Sequence, residues 1–143
     1  MKVKKLFYFL FFLLATGHLS TAQQLVPDES LIKSIYFGGG SYYIDSYQRQ
    51  ELKTFLESFP NIENYTITIH SHTDDIGTIE YNQLLSEMRS SMSIQQLLEN
   101  NIPRDIITIQ DFGEFNAIYD NSTYEGRIRN RRVDIILWPI ETL

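Results

Sequence analysis

The chain has 143 residues, with 12 Lys+Arg against 18 Asp+Glu and a formal net charge of −6. That length makes one compact domain rather than two, and 43% hydrophobic with 13% aromatic residues describes a folding chain rather than a disordered one. Cysteine is absent, which excludes disulfides, thiolate metal sites, iron–sulfur clusters and a lipidated N-terminal Cys; the acidic balance argues against nucleic acid or anionic lipid as a general partner.

Lys2, Lys4 and Lys5 precede an apolar run of 10 residues, Leu6 to Ala15, and then Ser20-Thr21-Ala22-Gln23. A basic start, a short apolar stretch and small residues before a cut predict a signal peptide over residues 1–22. A membrane-spanning helix needs about 20 apolar residues, so no span is expected once this segment is removed. The exported chain would keep 9 basic and 18 acidic groups. Residues 23–31, mostly polar and containing Pro27, read as a short leader into a domain over 32–143.

Within the domain, Ile32 to Phe37 reads as a strand, broken by Gly38-Gly39-Gly40. Asp45 offers an N-cap with Gln48 in the capping-box position, and Leu52, Phe55, Leu56 and Phe59 follow at helical spacing up to Pro60. Tyr65, Ile67 and Ile69 alternate with polar residues, the period of a strand with one apolar face. Thr78 is placed to cap a second helix with an apolar stripe of Tyr81, Leu84, Leu85, Met88, Met92 and Leu98, closed by Asn100-Asn101 and Pro103. Ile106 to Phe112 makes a third strand and Val133, Ile135 and Leu137 mark a fourth. Between them lies a long polar connection from Gly113 to Asn130, and loops of that length are often functional. The order β-α-β-α-β-loop-β predicts an α/β (α+β) fold, one sheet covered by two helices.

His70-Ser71-His72-Thr73-Asp74-Asp75 is the densest polar cluster. Two histidines on one strand face suit a metal only with further ligands, and no other His lies downstream, so hydrogen-bonding strand-end residues are the simpler reading. No nucleophile elbow, thiol or phosphate loop is present, and adjacent Asp74 and Asp75 diverge rather than flank one bond. An enzyme is therefore not expected, nor a cofactor. Arg127, Arg129, Arg131 and Arg132 form either a phosphate patch or ties from the polar loop to nearby carboxylates; the acid excess favours the ties. Asn82, Ser86 and Arg89 share one stripe of the second helix, and Arg89 leans toward the helix end where Asp74 sits. An acceptor for an ammonium (Asp74) beside a donor for a carboxylate (Arg89) is a receptor for a zwitterion. A purely structural Asp–Arg salt bridge is the alternative.

His72-Thr73-Asp74-Asp75-Ile76-Gly77, Tyr81-Asn82, Leu85-Ser86 and Arg89 resemble the pattern HTDxxGxxxYNxxLSxxR of the OmpA-like peptidoglycan-binding domain. Asp120-Asn121-Ser122-Thr123-Tyr124-Glu125-Gly126-Arg127 and Asn130-Arg131-Arg132-Val133 are similar to that family's DNxTxEGRxxNRRV, and Phe37, Ser41 and Ile44 to its FxxxSxxL. The resemblance implies a β-α-β-α-β-β fold with one mixed sheet, and non-covalent binding of peptidoglycan stem peptide through the zwitterionic end of diaminopimelate. Asp74 would receive the ammonium and Arg89 the carboxylate, with Thr73, Asn82, Phe37 and Gly38 around them; many relatives carry an acid where this chain has Gly38. It also implies a periplasmic, wall-associated location and an envelope or outer-membrane protein as a further partner. An interaction module that kept the fold is the alternative function.

Overall fold

The computed structural model describes residues 28–140. The signal peptide expected over 1–22 and the leader up to Pro27 lie outside the described residues. The elements run β1 (Ile32–Tyr36), α1 (Ser46–Glu57), β2 (Tyr65–His72), α2 (Ile79–Glu99), β3 (Ile107–Gly113), α3 (Tyr124–Asn130) and β4 (Arg132–Pro139). The four strands form one mixed sheet in the order β1-β4-β2-β3, antiparallel except for the parallel β2–β3 pair. Because β4 runs against both β1 and β2, strands β1, β2 and β3 all point the same way. Their C-terminal ends therefore meet the start of β4 at one end of the sheet, which is where sites on such sheets form.

The predicted alternation fixes which face is covered. Ile35, Ile67, Ile69, Val133, Ile135 and Leu137 are all fully buried and pack with Leu52 and Leu56 of α1 and Leu97 of α2. Burial of each such side chain contributes roughly 1.5–3 kcal/mol against the entropy of ordering the chain. Asp45 caps α1 by accepting from the Gln48 N–H at 2.9 Å. The Gln48 side chain also reaches the edge strand, accepting from Tyr36 N–H at 2.7 Å and donating to Tyr36 C=O at 2.9 Å. Those are backbone groups that an edge strand otherwise leaves open.

Two expectations need correction. The apolar stripe assigned to α2 faces the core only in part: Leu85 is buried and Met92 packs against the core, but Tyr81, Leu84 and Leu98 are exposed, while Asn82, Ser86, Arg89, Ser90 and Ser93 are buried beside Leu85 and Leu97. The polar residues tolerate this because each finds a partner. Ser86 Oγ donates to Gln83 C=O, Ser93 Oγ to Arg89 C=O and Ser90 Oγ to the Asp111 carboxylate. The connection after Gly113 is also not all loop, since its last 7 residues form α3. Thr123 caps α3 by accepting from Gly126 N–H at 3.0 Å. Asn130, fully buried at its end, donates to Tyr119 C=O and to Asn121 Oδ1, both at 2.8 Å.

Candidate functional site

The segment Phe37–Ser41 after β1, Thr73–Thr78 after β2, Gly113-Glu114 at the end of β3 and Arg131 before β4 converge over the first half of α2. Arg89 is the hub. It is only 1% exposed, and its guanidinium donates from Nε to Ser41 C=O at 2.9 Å, from Nη1 to His72 C=O at 2.8 Å and from Nη2 to Gly38 C=O at 3.2 Å. Its Cζ lies 4.9 Å from the centroid of the Phe37 ring. Loss of hydration in this setting pulls the Arg89 pKa down to about 10, partly opposed by the charge of Asp74, so the group stays cationic at neutral pH. Neutral carbonyls orient this charge without cancelling it.

Asp74, 6% exposed, does not bond Arg89. Its Oδ2 accepts from Arg131 Nε at 2.6 Å and its Oδ1 from Ile76 N–H at 3.3 Å. The structural Asp74–Arg89 salt bridge weighed as the alternative does not form; the charges stand in a row, Arg131–Asp74–Arg89, in which only the first two are hydrogen-bonded. Thr73 is buried, with its N–H on Gly113 C=O at 2.7 Å and its hydroxyl on Asp74 C=O at 2.9 Å. Asn82, also buried, donates from Nδ2 to Glu114 Oε2 at 2.7 Å. Phe37 and Gly38 are brought against Arg89, and Gly38, Gly39 and Gly40 form the exposed rim.

Gly113 sets the β3 exit. Its φ of +57° is a left-handed conformation, its N–H donates to Ser86 Oγ at 3.2 Å, and a Cβ there would lie 3.3 Å from the backbone nitrogen of Gln83 in α2. This is how Glu114 arrives over Asn82. Glu114 is a site-end residue that reading the sequence missed, whereas Arg131 makes the tie to a carboxylate that the acid excess favours, and that carboxylate is Asp74. Arg131 follows α3 directly, so its reach to Asp74 emerges only once the polar connection is folded.

His70 and His72 share the outer sheet face, as strand spacing predicts, with Phe112. His72 stacks on that ring at 5.0 Å, and His70 meets it edge-on at 5.4 Å. Burial, reinforced by Arg132, pushes the His72 pKa down to about 4 and keeps it neutral. Among the described residues no group of three or more His, Cys, Asp or Glu is arranged to hold a metal ion. The four arginines divide. Arg131 pairs with Asp74 and Arg132 with Asp134 at 2.9 Å, whereas Arg127 donates to Asn121 C=O and Arg129 lies 3.7 Å above the Tyr119 ring.

Comparison with known proteins matches residues 36–131 to the model of the OmpA family. Outer membrane protein A of Bordetella avium is 39% identical over 87 residues, covering 61% of this chain and 45% of that protein. The peptidoglycan-binding protein ArfA of Mycobacterium bovis is 35% identical over 71 residues, covering 50% of this chain and 22% of ArfA. The chain thus spans less than half the length of either relative. The crystal structure of the peptidoglycan-associated lipoprotein from Burkholderia pseudomallei superposes with a TM-score of 0.63 at 24% identity, covering 74% of this chain and 90% of that one. With the mixed sheet, the helices on one face and the motifs at the strand ends in place, this chain belongs to the OmpA family.

Proposed function

We propose that the domain is a wall-binding module of the periplasm, holding the peptidoglycan stem peptide non-covalently at the zwitterionic end of diaminopimelate. The observation that carries this reading is the charge row at the strand ends. Asp74 offers a carboxylate to an ammonium, and the Arg89 cation, fixed by three carbonyls and bonded to no acid among the described residues, offers a positive field to the adjoining carboxylate. Arg131 already holds Asp74, so an incoming ammonium shares or replaces that partner. The printed name of the Mycobacterium bovis relative, a peptidoglycan-binding protein, points the same way.

Charge-assisted hydrogen bonds contribute about 1.5–3 kcal/mol each, so one stem binds with a Kd of roughly micromolar to millimolar. Retention on a wall then depends on rebinding among neighbouring stems. The experiment is co-sedimentation with purified sacculi at low salt, competed by free diaminopimelate. Sedimentation that diaminopimelate relieves supports the proposal. A folded sample that stays in the supernatant rejects it in favour of the interaction module.

A further inference from the structure

The solvent side of α2 is more apolar than an exposed helix face needs to be. Tyr81 is 47% exposed and Leu84 54%, and beside them stands Tyr42 at 42%. Tyr42, Leu84, Met88 and Met92, together with Glu87 and Ser91, line a groove of about 340 Å³. A contiguous apolar surface with a few polar groups at its edge marks a binding place more often than chance exposure does.

Its position ties it to the site already described. Tyr42 follows Ser41 and Met88 precedes Arg89, so the groove flanks the 2.9 Å bond between Ser41 C=O and Arg89 Nε. Tyr81 makes the same connection from the other side. Its hydroxyl lies 3.1 Å from where a Cβ on Gly40 would stand, and its ring 3.0 Å from one on Gly77. Charge narrows the occupant. Among the described residues Glu87 is the only charged one lining the groove, and the whole chain is acidic, so an anionic partner is repelled and a neutral one is not. The apolar faces of Tyr42, Leu84 and the two methionines suit the C–H faces and acetyl methyls of N-acetylated sugar rings, while Glu87 and Ser91 suit their hydroxyls. A stem peptide is covalently joined to such sugars, and an extended peptide advances only about 3.5 Å per residue, so sugar and stem lie within one short reach.

We infer that the groove of Tyr42, Leu84, Met88 and Met92 is a glycan subsite, which takes the N-acetylated sugar of the strand whose stem peptide the Asp74–Arg89 end holds. This rests on the stem-peptide reading and extends it from one amino acid to the sugar backbone. The test is calorimetry with a diaminopimelate-containing stem peptide, bare and attached to its N-acetylated disaccharide. Wild type should bind the sugar-bearing ligand roughly tenfold more tightly. Leu84→Ser and Tyr42→Ala, both at exposed positions, should each bring that affinity down to the bare peptide's level, leaving bare-peptide binding and the melting temperature unchanged. Equal affinities in wild type overturn the subsite and leave the stem-peptide reading standing. So do variants that weaken both ligands alike, or a dimer that Leu84→Ser disperses. Wild type binding neither ligand rejects the stem-peptide reading, and the subsite with it.

Discussion

Arg89→Met removes the hub of the site while keeping the length and apolar stem of the side chain. Three carbonyls lose their donor: those of Gly38, Ser41 and His72. Gly38 stands on the exposed rim and rehydrates, which leaves two acceptors turned inward. A buried acceptor without a partner costs about 1–3 kcal/mol, so the loss is about 2–6 kcal/mol, reduced by no longer having to desolvate a guanidinium. A net cost of about 3 kcal/mol is a large share of the 5–15 kcal/mol typical of a domain and lowers Tm by roughly 10–15 °C. Arg89→Lys keeps the charge but not the planar fork, and should fall between the two. Circular dichroism melting of the three proteins at neutral pH is the assay. An Arg89→Met variant that melts within about 2 °C of wild type would refute the hub.

The remaining predictions are independent of that one. His72 has its folded pKa depressed from 6.5 to about 4, so between those values the unfolded chain binds more protons than the folded one. Its contribution is complete above pH 6.5 and is lost as the pH falls toward 4, by at most about 1.4 kcal/mol per pH unit. Denaturant titrations should show a shallower decline for His72→Gln over that window; an unchanged slope contradicts the burial argument. Gly126→Ala places a Cβ 1.9 Å from Asp120 C=O and 2.8 Å from Thr123 Oγ1. It should destabilise by several kcal/mol and disrupt α3, whereas a variant as stable as wild type would show that the 120–126 turn yields freely. Secretion in a two-membrane bacterium should give a chain beginning at Gln23, and N-terminal sequencing that finds Met1 on the mature product overturns the cleavage.

The strands were legible because alternation and burial agree: Ile67 with Ile69, and Val133, Ile135 and Leu137, are the inward set in the sequence and in the fold. The facing of α2 was legible only in part: Leu85 and Met92 turn inward as expected. Hydrophobicity also put Tyr81 and Leu84 inside, yet the interior beside β2 and β3 is occupied by the Arg89 guanidinium, its carbonyl acceptors and the Ser90–Asp111 pair. Only small or hydrogen-bonding side chains fit against such a layer. Helix α3 left no periodic signal, since it is two turns long, contains Gly126 and has Ile128 as its only aliphatic residue. It is fixed instead by the Thr123 cap and by Asn130. The meeting of Asp74 and Arg89 at the same end of the sheet was legible from motif and helix spacing. That the carboxylate tied by Arg131 is Asp74, 57 residues earlier, became visible only through the antiparallel arrival of β4.

The central claim is that the Asp74 carboxylate receives the ammonium of a wall stem peptide, and Asp74→Asn tests it most directly. The substitution keeps size and shape, and its cost to stability is the ion pair with a partly exposed Arg131 and the favourable field of the carboxylate on Arg89. Co-sedimentation with diaminopimelate-type sacculi, on samples whose melting curves show them folded at the assay temperature, should lose at least tenfold in bound fraction at low occupancy, as expected when about 1.4 kcal/mol or more of charge-assisted bonding is removed. A folded Asp74→Asn protein that sediments as wild type does would contradict the claim.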